Sequence, residues 1–160
     1  AWQLAKSNLL AEIKGWNAFA VVQSHYHMLE RDLEKDVIPF CQSENVGVIP
    51  YFPLAGGFLT GKYQKGKPAP TGSRGEDSEY VQKYMTDQNY SILEKLELFA
   101  KDHGHEMNEL AIAWLLAQPR VASVISGATR LDHVTKNASA AEWELTVEEL
   151  NQVNEILKGN

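Results

Sequence analysis

The chain reads VGVIPYFPLAGGFLTGK at residues 46–62, a short apolar run followed directly by a glycine-rich loop. Residues 46–51 are bounded by Asn45 before them and by Pro53 and the Gly56-Gly57 pair after them. A short apolar run enclosed by turn residues is typical of a buried strand, because both of its faces must be covered. The segment therefore predicts a parallel strand that opens into a loop able to approach a ligand closely.

Further short apolar runs lie on either side of this segment, at residues 18–23 and 121–125, and we predict strands there. Pro39 predicts a kink or an early break in one helix. Glycine, proline and charged residues predict a long loop at 63–88. Helical spacing covers residues 1–14 before Gly15, 32–44, about 90 to Gly104, about 110 to Pro119, 130–141, and the segment after the capping box Thr146–Glu149.

Strands that alternate with helices in this way are typical of parallel βα units. Three parallel strands alone leave both sheet edges unpaired, whereas a (β/α)8 barrel closes on itself and takes about 250 residues. We therefore expect an α/β fold in which residues 1–160 form a single partial barrel domain, too short to close. Because the chain starts at Ala1 inside a predicted helix, we also expect a missing beginning.

The composition argues against several classes of protein. A formal charge of −6 disfavours a general nucleic-acid binder, since phosphate backbones require a surplus of Lys and Arg. No apolar run approaches the roughly 20 residues that cross a bilayer, and no secretory signal pattern is present. Cys41 is the single cysteine and has no internal disulfide partner. We expect a cytoplasmic protein without nucleic-acid or membrane partners.

Residues 56–62 satisfy the spacing G-x-x-x-x-G-K of a phosphate-binding P-loop. The next residue is Tyr63, where a Ser or Thr hydroxyl is needed for Mg²⁺, and residues 64–68 are poorly suited to start the helix that would hold a phosphate. We keep the nucleotide-phosphatase interpretation as a minor alternative to a plain glycine-rich loop.

A second candidate anion site lies at residues 125–130, where a predicted strand runs into a helix. Gly127 would let a ligand approach the backbone, Thr129 is predicted to cap the helix, and Arg130 is suited to pair with a phosphate. Loops after late strands of a barrel often bind phosphate. A simple helix cap with a solvated arginine fits the same pattern.

Other reactive side chains favour structural roles. His25 and His27 alternate after the first strand and are predicted to face one side, but no carboxylate or thiolate stands at ligand spacing, so we predict no metal site. Cys41 lies in an apolar helical pattern and is predicted as a core residue. His103 and His105 flank Gly104, as solvated residues at a helix end do.

Three blocks of sequence together resemble the aldo-keto reductase family. They are residues 22–31, residues 51–63, and residues 127–130 with Asn137, in the order that the family has them. The resemblance is strongest to the branch that includes bacterial general reductases and potassium-channel β subunits. It extends over the whole chain and implies the last three strands of a TIM (β/α)8 barrel, with their helices.

The resemblance also implies a cofactor site for NADP(H). Gln23 matches the residue that binds the nicotinamide carboxamide, and Tyr51 matches the aromatic residue that stacks on the nicotinamide ring. Arg74 lies in the segment that covers the cofactor. The pyrophosphate would be wrapped by Pro53, Leu54, Gly56, Thr60 and Lys62, the adenosine 2′-phosphate by Gly127, Thr129 and Arg130, and the adenine contacted by Asn137.

Three positions depart from the family pattern. Lys136 stands where the family usually has a Glu that binds adenine, and His133 stands where a Gln or Arg is common. Phe52 replaces a frequent Ser. The loss of the carboxylate weakens the expected contact with adenine, but Lys136 and His133 would add positive charge near the 2′-phosphate. We therefore keep His133 among the predicted cofactor residues.

The family transfers a hydride from NADPH to an aldehyde or ketone and uses a Tyr, Lys, His and Asp that lie on early strands. These would precede Ala1, so we assign no catalytic residue to this chain. We expect it to be the cofactor-binding half of a reductase, with the N-terminal half of the barrel and a carbonyl substrate as partners. A non-catalytic NADP-binding regulatory subunit is the alternative. Unpaired strand edges would favour association between copies.

Overall fold

The computed structural model describes residues 1–159, which form an α/β fold. Strands β1 and β2 span Val21–His25 and Gly47–Tyr51. The helices are α1 Trp2–Lys14, α2 Val37–Ser43, α3 Arg74–Asp77, α4 Glu79–Gln82, α5 Asp87–Asp102, α6 Met107–Leu116, α7 Leu131–Ser139 and α8 Val147–Leu157. Short 3-10 helices lie at Asp32–Lys35, Ala55–Thr60 and Ala140–Glu142.

The two strands pair in parallel, as the alternation of strands and helices predicts. Their register places Gln23 beside Ile49 and His25 beside Tyr51. The carboxyl ends of both strands therefore meet at one edge of the sheet, the edge at which parallel α/β folds bind their ligands. Tyr51 and His25 mark that edge.

The prediction of a third regular strand at residues 121–125 is wrong. The segment lies along β2 but makes only two isolated bridges, Val121 to Val48 and Ile125 to Tyr51. Val48 and Tyr51 are three positions apart along β2, whereas their partners Val121 and Ile125 are four positions apart. The extra residue interrupts the ladder as a β-bulge does, and a hydrophobic pattern alone does not reveal such an insertion.

The break predicted at Pro39 falls earlier in the chain. The segment divides at Asp36, between the 3-10 helix Asp32–Lys35 and α2. Pro39 is then the third residue of α2, where an N–H has no partner within the helix in any case. The proline is therefore tolerated inside the first turn and does not end the helix.

The segment of residues 63–88 contains α3 and α4 and the first residues of α5. The side chain of Tyr63 is buried, and its hydroxyl accepts a hydrogen bond of 2.9 Å from the Gly75 N–H. Thr86 caps α5 by accepting from the Asn89 N–H at 3.2 Å. These contacts hold the segment against the core.

Helix α6 is the centre of the core, and its side chains are buried on nearly every side. Trp114 is fully buried, and its Nε1 donates to the Asn154 side chain of α8 at 3.2 Å. Arg31 donates to the same amide oxygen at 3.1 Å. The capping box predicted at Thr146 starts α8, with Thr146 Oγ1 accepting from the Glu149 N–H. The core thus supports the sheet edge from one side.

Several large apolar side chains outside this core remain exposed. They lie on α1, on the loop after it and at the start of β1, and they are Trp2, Leu9, Leu10, Ile13, Trp16, Phe19 and Val21. Gly15 ends α1 in the left-handed conformation, with a φ of 66°, as predicted. Within residues 1–159, no helix is both long enough and apolar enough to cross a membrane.

Candidate functional site

A cleft of about 860 Å³ opens beside the carboxyl end of β2. The residues that line it come from the glycine-rich segment after β2, the start of α3, the start of α6, and the loop and helix that follow residue 124. It contains every predicted cofactor residue except Gln23: Tyr51, Pro53, Leu54, Gly56, Thr60, Lys62, Arg74, Gly127, Thr129, Arg130, His133 and Asn137.

Left-handed backbone conformations build the wall after β2. Phe52 and Ala55 have φ values of 64° and 48°, and Gly56 and Gly57 have φ values of 67° and 101°. A Cβ on Gly56 would collide with the Val81 side chain. Glycine is needed here both for the backbone angle and for the close approach of α4.

Lys62 extends back over the same wall. Its ammonium lies so near the backbone that a Cβ on Gly57 would be 2.6 Å from Nζ. Thr60 was predicted to offer a hydroxyl to phosphate, but its Oγ1 donates to the Gly57 carbonyl at 2.8 Å. Thr60 therefore holds the turn in shape, while Lys62 supplies the positive charge.

The local structure argues against the P-loop alternative. After Lys62 the next helix is α3, which begins only at Arg74. A P-loop needs a helix whose N-terminus follows the lysine directly. Tyr63, at the position of the Mg²⁺-binding hydroxyl, is buried and bonded to the Gly75 backbone. The segment is a glycine-rich loop.

Two serine hydroxyls in the cleft have no partner. The Oγ atoms of Ser73 and Ser126 are shielded from solvent and, in the part of the chain that the structure describes, make no hydrogen bond. Both residues line the cleft. A buried hydroxyl without a partner is unfavourable, so these atoms are suited to bind the polar groups of a ligand.

The loop before α7 differs from its prediction in one detail. Thr129 was expected to cap the helix, but the N-cap residue is Arg130, and no side chain accepts a capping bond there. The first N–H groups of α7 thus receive no side-chain cap. A Cβ placed on Gly127 would meet nothing within 4 Å, so this part of the cleft is open.

Ion pairs cross the end of the cleft formed by α7. Arg130 donates to both carboxylate oxygens of Asp132, at 3.1 and 2.7 Å. Lys136 donates to both carboxylate oxygens of Glu106, at 3.0 and 2.8 Å, and so links α7 to α6. Desolvation by itself would raise the pKa of Asp132. The hydrogen bond from Arg130 acts against it, and the pKa of Asp132 is lowered. The hydrogen bond to Glu106 raises the pKa of Lys136.

Gln23 lies outside the main cleft. It lines an adjoining cavity of about 440 Å³ together with His25 and Glu30. The ring of Tyr51 borders both cavities and is 40% exposed. The two spaces therefore meet at the end of β2, with Tyr51 between them.

A model of the aldo/keto reductase family matches residues 2–158. The chain belongs to this family. It is 31% identical to probable aldo-keto reductase 1 of Glycine max, over 85% of this chain and 39% of that protein. It is 30% identical to the uncharacterized oxidoreductase YrpG of Bacillus subtilis, over 99% and 46%. It is 33% identical to L-glyceraldehyde 3-phosphate reductase of Escherichia coli, over 83% and 40%.

Membership places the chain in a family of oxidoreductases, as the resemblance implied. The chain spans less than half the length of these curated relatives.

In this aldo/keto reductase chain, a cluster of histidines and tyrosines lies beside the adjoining cavity. The rings of His25 and His27 are 4.9 Å apart, so the two side chains do come together. His27 is fully buried; its Nε2 lies 3.2 Å from the Tyr84 hydroxyl, and its Nδ1 accepts from the Leu29 N–H. Both of its nitrogens are thus engaged. Within residues 1–159, no group of three or more His, Cys, Asp or Glu is placed to hold a metal ion.

The same cluster brings together residues that are distant in the sequence. The Tyr80 hydroxyl lies 3.0 Å from the His25 ring, and the Lys83 ammonium lies 4.4 Å from the centre of the Tyr80 ring. His25 stacks on Tyr51 at 5.3 Å. The spacing of Tyr80 and Lys83 from His25 along the chain does not indicate this arrangement.

The cleft residues that were not predicted include Ser73, Ser126, Glu106 and Asn108. Ser126 lies inside the segment proposed as an anion site, and its position after a strand was the available signal. Glu106 precedes α6 with Glu109 three residues later, a pattern that marks a helix start. Its contact with Lys136 spans 30 residues and is not visible in the sequence.

Proposed function

We propose that the cleft binds NADPH and that the chain is the cofactor-binding half of an oxidoreductase that reduces aldehydes or ketones to alcohols. The observation that carries the proposal is the clustering of the predicted cofactor residues, drawn from segments as distant as Tyr51 and Asn137, around one cleft. Its volume of about 860 Å³ suits a dinucleotide, since ligand pockets span roughly 300–1,000 Å³.

The residues present fit such a ligand. The unpartnered hydroxyls of Ser73 and Ser126 offer hydrogen bonds to phosphate or ribose oxygens. Gly56 and Gly57 line the cleft on the wall assigned to the pyrophosphate, and the Lys62 ammonium lies over the Gly57 backbone. The cleft thus combines open backbone, hydroxyl donors and a local cation in a chain whose net charge is negative.

Each end of the cofactor has its own residues in this proposal. The exposed ring of Tyr51 stacks on the nicotinamide, and Gln23 reaches the carboxamide from the adjoining cavity. Arg130 and the open backbone at Gly127 receive the 2′-phosphate. Asn137, half-buried on the cleft face of α7, contacts the adenine.

When bound, the cofactor supplies a hydride for the carbonyl carbon. The residues of this chain hold and orient it, and we assign the proton transfer to the part of the barrel that precedes β1. The exposed apolar side chains of α1 and of the loop after it, among them Ile13, Trp16 and Phe19, support this proposal, because further barrel strands and helices would cover them.

Tyr51→Ala tests the proposed site. NADPH binding is measured by fluorescence titration of the purified chain, and carbonyl-dependent NADPH oxidation is measured with the full-length protein. Loss of aromatic stacking is worth about 1 kcal/mol, so the NADPH dissociation constant should rise about fivefold.

Tyr51→Phe is the matched control, because it keeps the ring and should bind like the wild type. Equal affinity of the Ala variant and the wild type would disprove the stacking role. Absence of NADPH binding to the wild type would contradict the proposal as a whole. Binding without turnover in the full-length protein would favour the non-catalytic subunit.

A further inference from the structure

We propose that Glu106 determines the cofactor preference of this chain by engaging Lys136 at the adenosine end of the cleft. The inference rests on the proposed function and goes beyond it, since it concerns the choice between NADPH and NADH. Glu106 lies at the start of α6 and lines the cleft there, away from the glycine-rich loop and the strand ends.

The contact is direct and uses the whole carboxylate. Lys136 Nζ lies 3.0 and 2.8 Å from the two oxygens of Glu106, and both residues line the cleft. Glu106 is held in place from its own helix, because its backbone N–H donates to the Glu109 carboxylate at 2.7 Å. The carboxylate thus reaches α7 from a backbone position that is held at the start of α6.

The second cation at this end is neutralised in the same way. Arg130 forms a two-point contact with Asp132, and Asp132 also lines the cleft. Each of the two permanent cations therefore has a carboxylate partner, and the four formal charges cancel. A 2′-phosphate, with about −1.5 to −2 charges, would enter an environment that has no excess of positive charge.

A free ribose 2′-hydroxyl meets different conditions at this end of the cleft. Carboxylates accept hydrogen bonds from ribose hydroxyls, and an acidic residue in this role is a known means of binding NAD. Glu106 therefore disfavours the phosphate twice, by occupying Lys136 and by repelling the phosphate charge. The wild-type chain should bind NADH and NADPH with similar affinity.

Glu106→Gln tests this account by removing the charge and keeping the size and one acceptor oxygen. The readout is the ratio of the NADH and NADPH dissociation constants, measured by fluorescence titration at one low salt concentration. Because the carboxylate is exposed, the ratio should shift about two- to fivefold toward NADPH, and the shift should shrink as salt is added.

Glu155→Gln is the matched control. Glu155 pairs with Lys158 at 2.6 Å, both side chains are exposed to a similar degree as Glu106 and Lys136, and neither lines the cleft. This variant changes the net charge by the same amount and should leave the ratio unchanged.

Lys136→Met, alone and combined with Glu106→Gln, separates a direct effect from a general one. In the wild-type background it should lower NADPH affinity, because it leaves the Glu106 carboxylate unpaired, and in the Glu106→Gln background it should remove the part of the gain that Lys136 supplies. A ratio that Glu106→Gln does not shift, or a gain that the loss of Lys136 leaves undiminished, overturns the inference. Failure of the wild type to bind either cofactor would instead contradict the proposed function.

Discussion

Tyr51 ends β2 with its ring 40% exposed, and it separates the main cleft from the cavity that contains Gln23. His25 stacks on it from the neighbouring strand. A ring in this position is suited to stack on a flat ligand group in the cleft, and Gln23 lines the cavity on its other side. The parallel register, which places His25 beside Tyr51, creates this arrangement.

The burial of His27 makes the stability of the chain depend on pH. Burial, with smaller contributions from the His25 and Lys83 charges, lowers its pKa to about 3 in the folded chain. The unfolded chain, with a pKa near 6.5, binds a proton that the folded chain does not bind between pH 6.5 and 3. Its stabilising contribution is therefore complete above pH 6.5 and is lost as the pH falls toward 3.

When the pH falls from 7 to 5, His27 should lower the free energy of unfolding by about 2 kcal/mol. Urea denaturation at both pH values measures it. His27→Asn removes the titrating group, so the free energy of unfolding of this variant should fall less over the same pH interval. An identical pH dependence of the variant and the wild type would show that His27 is protonated in the folded chain.

At the scale of elements, the glycine-rich segment after β2 links the cleft to α4. Gly56 needs its left-handed backbone and also packs against Val81 and Phe52. Gly66 has a similar φ of 75°, but a Cβ there would meet nothing within 4 Å. The two positions therefore differ in packing and share the same backbone requirement.

Gly56→Ala should destabilise the chain more than Gly66→Ala. Both variants carry the cost of a left-handed residue, about 1 kcal/mol, and only the first also displaces Val81. The difference in the free energy of unfolding, measured by urea denaturation, should reach about 1 kcal/mol or more. Equal losses would mean that the contact with α4 adjusts without strain.

Local patterns predicted some elements well and others poorly. The end of α1 follows from Gly15 and the start of α8 from the Thr146 capping box, since both signals act within one helical turn. The third strand failed because its pairing with β2 depends on one extra residue between two bridges. Pro39 was misjudged because its effect depends on where the helix begins.

The residues of the candidate site also divide into those that local patterns predicted and those that depend on contacts formed only in the fold. Residues at the ends of predicted strands, such as Tyr51 and Arg130, lie around one cleft because parallel strands bring their carboxyl ends together. Thr129 does not cap α7, because the helix begins one residue later than predicted, with Arg130 as its N-cap. The Thr60 hydroxyl bonds to the backbone of its own turn. Glu106 was missed because its partner comes from a distant helix.

At the scale of the whole molecule, the chain combines a well-buried core with a group of exposed apolar side chains. Helices α5, α6 and α8 pack around Trp114, whereas Trp2, Ile13 and Trp16 are exposed along α1 and the loop after it. The chain also spans less than half the length of the aldo/keto reductases that it matches. Both facts support our proposal that the substrate pocket is completed by further barrel strands.

The most direct test of the account is a titration of the wild type and of Arg130→Ala with NADPH and with NADH, at one salt concentration. The account predicts that the wild type binds NADPH in the cleft. Because Arg130 would give a charge-assisted contact only to the 2′-phosphate, the variant should lose about three- to tenfold in NADPH affinity and little in NADH affinity. A wild type that binds no NADPH, or a variant that loses affinity for both cofactors equally, would contradict it.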